Sequence, residues 1–78
     1  MFDLTITNVE EVLYHGQTSE ILVPGVMGQM TILPNHSSLI TGLSSGKIRV
    51  KTDKEELNFD VMSGVIEVSN NSALILLS

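Results

Sequence analysis

Alternation of apolar and polar residues along short segments limits the fold of this chain more than any other feature of its sequence. The segment Phe2–Thr7 alternates in this way, which predicts a strand with its three apolar side chains on one face. The segments Lys47–Lys51 and Leu57–Val61 alternate likewise, with polar residues between them. They predict a hairpin with apolar side chains inward and charged side chains outward, where pairs such as Arg49 with Asp60 meet across the strands.

Turn-forming residues separate the other predicted strands. Pro24-Gly25 predicts a tight turn, because proline fixes φ and glycine accepts a positive φ. His15-Gly16 and Asn70-Asn71 predict two more turns, the second with left-handed backbone, while Pro34 ends the strand before it. No segment has the length and periodicity of an ordinary helix. The sequence therefore predicts one domain over residues 1–78 with an all-β fold, an antiparallel β-sandwich or flattened barrel.

The last predicted strand differs from the others because it is apolar on both faces. Its sequence, Ala73-Leu74-Ile75-Leu76-Leu77, contains no polar residue. A strand of this kind must be covered on both faces. We expect the core to cover one face, and either another protein chain or further sequence to cover the other.

Composition excludes several classes of function. The net charge is −5 and only four residues are Lys or Arg, so we expect no binding to nucleic acid. The chain has no cysteine, which excludes disulfides and thiolate metal sites. No apolar run reaches the roughly 18 residues of a membrane span, and the N-terminus lacks the pattern of a signal peptide.

Residue patterns typical of catalysis are also missing from the sequence. His15 and His36 have no acidic or histidine partner at ligand spacing, so we expect no metal site. There is no Gly-x-Ser-x-Gly elbow and no glycine loop before a helix, and the carboxylates are mostly dispersed. We therefore expect no enzyme activity, no cofactor and no small-molecule ligand.

Two places on the predicted surface have alternative interpretations. Val26 and Met27 are predicted to sit at a turn tip, where they either contact another protein or fold back over one end of the sandwich. His36 is interpreted either as a hydrogen-bonded corner residue, which is the more common role, or as a contact to a partner.

Five motifs occur in a characteristic order along the chain. They are Pro24-Gly25-Val26-Met27-Gly28, Pro34-x-His36, Leu39-Ile40-Thr41, Gly46-Lys47-Ile48-Arg49-Val50 and Gly64-Val65-Ile66-Glu67-Val68. As a set, these motifs resemble the N-terminal domain of the epsilon subunit of rotary F-type ATP synthase, which is called delta in mitochondria. The resemblance covers essentially the whole chain. Gln29, Asn35, Ser37 and Ser63 depart from the family pattern, in which Glu, Gly, Ala and Gly are usual.

The resemblance implies a β-sandwich of about ten short strands in the central stalk, bound to the gamma subunit and to the membrane c-ring. Such a subunit is non-catalytic and couples proton transport to ATP synthesis. Carried over by position, the implied c-ring contacts are Val26, Met27, Gly28, Gln29 and Met30. The implied gamma-subunit contacts are Pro34, Asn35, His36 and Ser37.

The resemblance also implies that the protein lies peripherally on the cytoplasmic face of the bacterial inner membrane, where the complex holds it. The sequence ends at Ser78, and we carry over neither the family's C-terminal helical hairpin nor its inhibition of ATP hydrolysis and its ATP binding. The alternative function is a free-standing β-sandwich module for a sugar or peptide. Its weakness is the small number of aromatic residues, Phe2, Tyr14 and Phe59, since such sites are usually lined by them.

Overall fold

The computed structural model describes residues Met1–Ser78 and consists of nine strands without a helix. The strands are β1 (Phe2–Thr7), β2 (Val12–Thr18), β3 (Glu20–Gly25), β4 (Gly28–Ile32), β5 (Leu39–Leu43), β6 (Gly46–Lys51), β7 (Glu56–Val61), β8 (Gly64–Ser69) and β9 (Ser72–Leu77). They pair in the order β2-β1-β9-β8-β5-β3-β6-β7, and β4 pairs with the free edge of β3. The predicted all-β sandwich is confirmed, with nine strands where the resemblance implies about ten.

The sheet curls into two layers around one core. One layer contains β2, β1, β9, β8 and β5, and the other contains β4, β3, β6 and β7. A single pair, Gly25 with Leu43, joins β3 to β5 at the bend between the layers. β1 and β9 run parallel, an exception to the predicted antiparallel order, which is possible because the rest of the chain separates them.

Fifteen buried apolar residues form the core between the layers. The predicted inward residues of β1 and β6 all belong to it. The edges of the two layers meet where Tyr14 of β2 packs edge-on against Phe59 of β7, with ring centroids 6.3 Å apart. Aliphatic residues therefore fill the core, and two of the three aromatic rings close one side of it.

The β6–β7 hairpin is confirmed, but its predicted ion pair is wrong. Arg49 lies opposite Asn58, and Asp60 lies opposite Lys47. The Lys47 Nζ atom is 2.8 Å from Asp60 Oδ1. The prediction failed because the loop length sets the register of a hairpin, and alternation alone does not.

The predicted turn at His15-Gly16 is also wrong. Gly16 lies inside β2, opposite Leu4, where an added Cβ would be 3.3 Å from Tyr14 Oη. The turn before β2 is formed instead by Asn8, whose Oδ1 accepts hydrogen bonds from the backbone N–H groups of Glu10 and Glu11, both at 2.8 Å. Asparagine side chains commonly form turns of this kind.

The predicted left-handed turn at Asn70-Asn71 is confirmed, with φ values of 51° and 56°. A two-residue turn with positive φ at both positions fits the twist of a hairpin. It joins β8 to β9, which are paired from Gly64 with Leu77 to Ser69 with Ser72.

Candidate functional site

The turn between β3 and β4 carries two apolar residues at its tip. Pro24 and Gly25 lie in β3, so the prediction that they form the turn is wrong. Val26 and Met27 form it, which confirms their predicted place at a turn tip. Gly25 faces Gly28 across the base of the turn, where an added Cβ on Gly25 would be only 2.8 Å from the Gly28 carbonyl oxygen. Gly28 has φ 129°, a conformation that favours glycine. The two glycines thus form the base of the turn, and residues with larger side chains occupy its tip.

Hydrogen bonds fix this turn to β5 and to the loop after it. The Val26 N–H donates to the Gly42 carbonyl oxygen at 3.0 Å, and the Ser44 N–H donates to the Pro24 carbonyl oxygen at 2.7 Å. The Val26 side chain lies over Gly42, where an added Cβ would be 3.3 Å from Val26 Cγ1. Met27 projects into solvent and is 94% exposed. Val26 therefore folds back onto the sheet, as one of the two interpretations predicts. Met27 does not, and its contact with another protein stays a prediction.

The five residues implied to contact the c-ring do not all face outward. Val26, Met27, Gly28 and Gln29 are exposed. Met30 is half-buried and packs against the core. Its side chain supports the turn from within the sandwich.

The corner formed by Pro34, Asn35, His36 and Ser37 links β4 to β5. Its backbone reverses at Asn35, which has φ 64°, a conformation that asparagine tolerates better than most other non-glycine residues. The His36 N–H donates to the Leu33 carbonyl oxygen at 3.2 Å. The His36 Nδ1–H donates to the Ser37 carbonyl oxygen at 2.8 Å. His36 is therefore a hydrogen-bonded corner residue.

The structure does not bring the two predicted groups of contacts together. Only Ser38 separates the corner from Leu39, the first residue of β5, and the turn lies against Gly42, near the last residue of β5. Three residue steps separate Leu39 from Gly42, which corresponds to about 10 Å along a strand. The strand β5 therefore connects the two candidate contact regions.

An exposed apolar surface lies between these regions, on the outer side of β5, β8 and β9. We call it the outer apolar face, and it consists of Ile40, Val65, Leu74 and Leu76, which are 72%, 44%, 43% and 48% exposed. Strand pairing places Val65 beside Leu76, and Glu67 lies between Ile40 and Leu74. The sequence indicated only the β9 part of this face. The adjacent apolar pairs Leu39-Ile40 and Val65-Ile66 are a further signal, because one residue of each pair must face outward.

A shallow depression of about 390 Å³ adjoins one end of the outer apolar face. Its lining residues are Val9, Ser63, Gly64, Val65, Leu76, Leu77 and Ser78. None of them has a titratable side chain, and Val9 is 90% exposed. The depression therefore offers room for an apolar group and extends the apolar surface beyond β9.

Charged residues lie mainly on the other layer, where they pair with one another. Lys47, Arg49 and Lys51 lie within 4 Å of carboxylates, those of Asp60, Glu56 and Glu20 respectively. No group of three His, Cys, Asp or Glu side chains is placed to hold a metal ion. No helix is present that could cross a membrane.

Comparisons with known proteins agree on one family. The family model of the β-sandwich domain of the ATP synthase delta/epsilon chain matches residues 1–78. The ATP synthase epsilon chain of Gloeobacter violaceus is 38% identical over 73 residues, which cover 94% of this chain and 55% of that one. The epsilon chain of Chlorobium limicola is 34% identical over 76 residues, which cover 96% of this chain and 86% of that one. This chain thus spans about half the length of the first relative.

Two solved structures share the fold at low sequence identity. One is the mitochondrial ATP synthase of Euglena gracilis, solved as OSCP/F1/c-ring, with a TM-score of 0.88, 19% identity, and coverage of 95% of this chain and 48% of that one. The other is the central stalk/c-ring of the Tetrahymena thermophila mitochondrial enzyme, with a TM-score of 0.83, 13% identity, and coverage of 96% and 61%.

Proposed function

This chain belongs to the delta/epsilon β-sandwich family of ATP synthase, and from this membership we propose that it is a non-catalytic subunit of the central stalk. In this role it binds the gamma subunit and the c-ring and couples proton transport to ATP synthesis. It acts by contact alone and is held at the cytoplasmic face of the membrane by the complex.

Beside the family membership, the outer apolar face is the structural observation that carries this proposal. Leu74 and Leu76 leave nearly half of their surface in water, although the inward residues of the same strand are buried. An apolar patch formed by several adjacent strands is typical of a protein–protein interface. The face continues through β5 to the corner Pro34–Ser37, so one partner can cover both. We assign the gamma subunit as that partner.

The turn at Val26–Gln29 is the second contact in this proposal. It lies at the opposite end of β5 from the corner, and Met27 is its most exposed residue. A flexible, exposed methionine adapts to an irregular protein surface. We assign this turn to the c-ring, with Met30 as its internal support.

The alternative function, binding of a sugar or peptide by a free-standing module, has less support. Tyr14 and Phe59 pack against each other and Phe2 is buried, so no aromatic ring lines the depression. A ligand site of this kind usually combines aromatic side chains with a few convergent polar groups.

Gel filtration and calorimetry with the gamma subunit of the same organism test the proposal. We expect a 1:1 complex at micromolar concentration. Leu76→Glu should weaken it about a hundredfold, since a charge would be buried in the interface. Asn58→Glu places the same charge on the exposed side of β7 and should leave the affinity unchanged. A chain that forms no complex, or equal affinities for the two variants, would contradict the assignment.

A further inference from the structure

One exposed side chain outside the regions assigned above connects three separate segments of the chain. Asn71, in the turn between β8 and β9, accepts a hydrogen bond at its Oδ1 from the Asn35 N–H at 2.8 Å. Its Nδ2 donates to the Met1 carbonyl oxygen at 3.1 Å. Its own carbonyl oxygen accepts from the Asp3 N–H at 3.3 Å. These bonds join the corner, the β8–β9 turn and the start of β1.

The hydrogen bond to Asn35 involves the corner residue that has the least favourable backbone conformation. Asn35 has φ 64°, and non-glycine residues adopt positive φ only at some cost. The N–H of this residue has no partner within its own turn; its partner is 36 positions away. The Asn71 side chain therefore holds the corner in the conformation that the gamma assignment uses.

The backbone at Asn71 places its side chain for this role. Its φ of 56° is common for asparagine and glycine and rare for other residues. The neighbouring Asn70 has a similar φ of 51°, yet its side chain makes no hydrogen bond to the corner. The two residues thus share a backbone conformation, and only one of them contacts the corner.

We propose that Asn71 is a positioning residue for the gamma-subunit contact: its side chain fixes the corner Pro34–Ser37 through Asn35 and ties it to the N-terminus through Met1. This inference rests on the proposed function for the identity of the partner. The fixed geometry of the corner itself is independent of that partner.

Three variants separate positioning from stability. Asn71→Gly keeps the backbone conformation and removes both side-chain hydrogen bonds. Asn70→Gly makes the same substitution at the matched position and is the control. Asn71→Asp retains an acceptor for the Asn35 N–H and loses the donor to Met1, so it should rescue the corner in part.

The first measurement is hydrogen exchange of the Asn35 amide, by NMR on the full chain. We expect about fivefold faster exchange in Asn71→Gly, no change in Asn70→Gly, and near-normal protection in Asn71→Asp, as a lost hydrogen bond of ordinary strength predicts. Unchanged exchange of this amide in Asn71→Gly would overturn the proposal, whatever the gamma subunit does.

The second measurement is the dissociation constant for the gamma subunit, by calorimetry. We expect an increase of about fivefold for Asn71→Gly, none for Asn70→Gly, and a smaller increase for Asn71→Asp. If the unsubstituted chain binds gamma and both glycine variants bind equally well, Asn71 does not position the contact. If the unsubstituted chain does not bind gamma, the proposed function fails, and exchange at Asn35 still decides whether Asn71 fixes the corner.

Discussion

The size of individual side chains is constrained most where two segments of the backbone approach each other closely. At Gly25 an added Cβ would be 2.8 Å from a backbone oxygen, whereas at Gly42 the nearest atom is a side-chain methyl group at 3.3 Å. Backbone atoms cannot yield without distorting the sheet, but a valine at a turn tip can. We therefore predict that Gly25→Ala lowers the free energy of unfolding by about 1–3 kcal/mol and that Gly42→Ala changes it by less than about 1 kcal/mol.

Urea unfolding of the two glycine variants, followed by circular dichroism, checks this prediction. Equal losses of stability would show that the close approach at Gly25 has no special importance.

Met27 offers a test of the turn at the level of one side chain. It is 94% exposed, so Met27→Asp should change the free energy of unfolding by no more than about 0.5 kcal/mol. In the proposed role, the same change weakens attachment to the c-ring and lowers ATP-driven proton pumping by reconstituted complexes. Asn58→Asp, which adds the same charge on β7, should not lower pumping. Normal pumping with Met27→Asp would remove the turn from the c-ring contact.

Residue identity alone predicted part of this site. The left-handed turn at Asn70-Asn71 could be read from the sequence because few residues tolerate that backbone. The contact between Asn71 and Asn35 could not, since it joins residues 36 positions apart and depends on how two turns meet. In the β3–β4 turn, the place of Val26 and Met27 at the tip was predicted, but Pro24 and Gly25 were wrongly assigned to the turn because they end β3.

Strands with one buried face were the most predictable elements. Every second residue is apolar and buried in β1, as are Ile48 and Val50 in β6, so the alternation defined both the strand and its inner face. β2 was less predictable because it lies at the sheet edge with most of its residues exposed. Its sequence does not alternate. Its glycine, Gly16, lies within the strand beside the Tyr14 side chain and does not form a turn.

The β6–β7 hairpin allows burial to be compared with ion pairing within one element. The Lys47 and Asp60 side chains are 66% and 85% exposed, and exposed pairs of this kind contribute at most about 1 kcal/mol. Ile48 is fully buried in the core. We predict that Asp60→Asn lowers the free energy of unfolding by less than about 1 kcal/mol and Ile48→Ala by about 2–5 kcal/mol.

Urea denaturation of both hairpin variants at low and high salt distinguishes the two effects. The small loss in Asp60→Asn should vanish at high salt, and the loss in Ile48→Ala should remain. A larger loss for Asp60→Asn than for Ile48→Ala would mean that charges hold this hairpin.

At the scale of the whole molecule, the sandwich was predictable and its partner surface only partly so. The apolar final strand indicated that something covers both of its faces. The outer apolar face became visible only when the register placed Val65 beside Leu76 and Glu67 between Ile40 and Leu74. Its residues come from three strands, and no local pattern predicts which strands become neighbours.

The arrangement of the whole molecule also predicts that substitutions at the turn and at the corner act independently. The turn and the corner lie about 10 Å apart along β5, and no side-chain hydrogen bond joins them. Substitutions at such distances usually have additive effects. Met27→Asp should therefore change the dissociation constant for gamma by the same factor in the unsubstituted chain as in Asn71→Gly. Calorimetry on the four chains of this cycle measures the coupling free energy directly. A coupling free energy above about 0.5 kcal/mol would mean that β5 transmits changes between the turn and the corner. A coupling free energy near zero fits a rigid body that is held at two ends and moves as one.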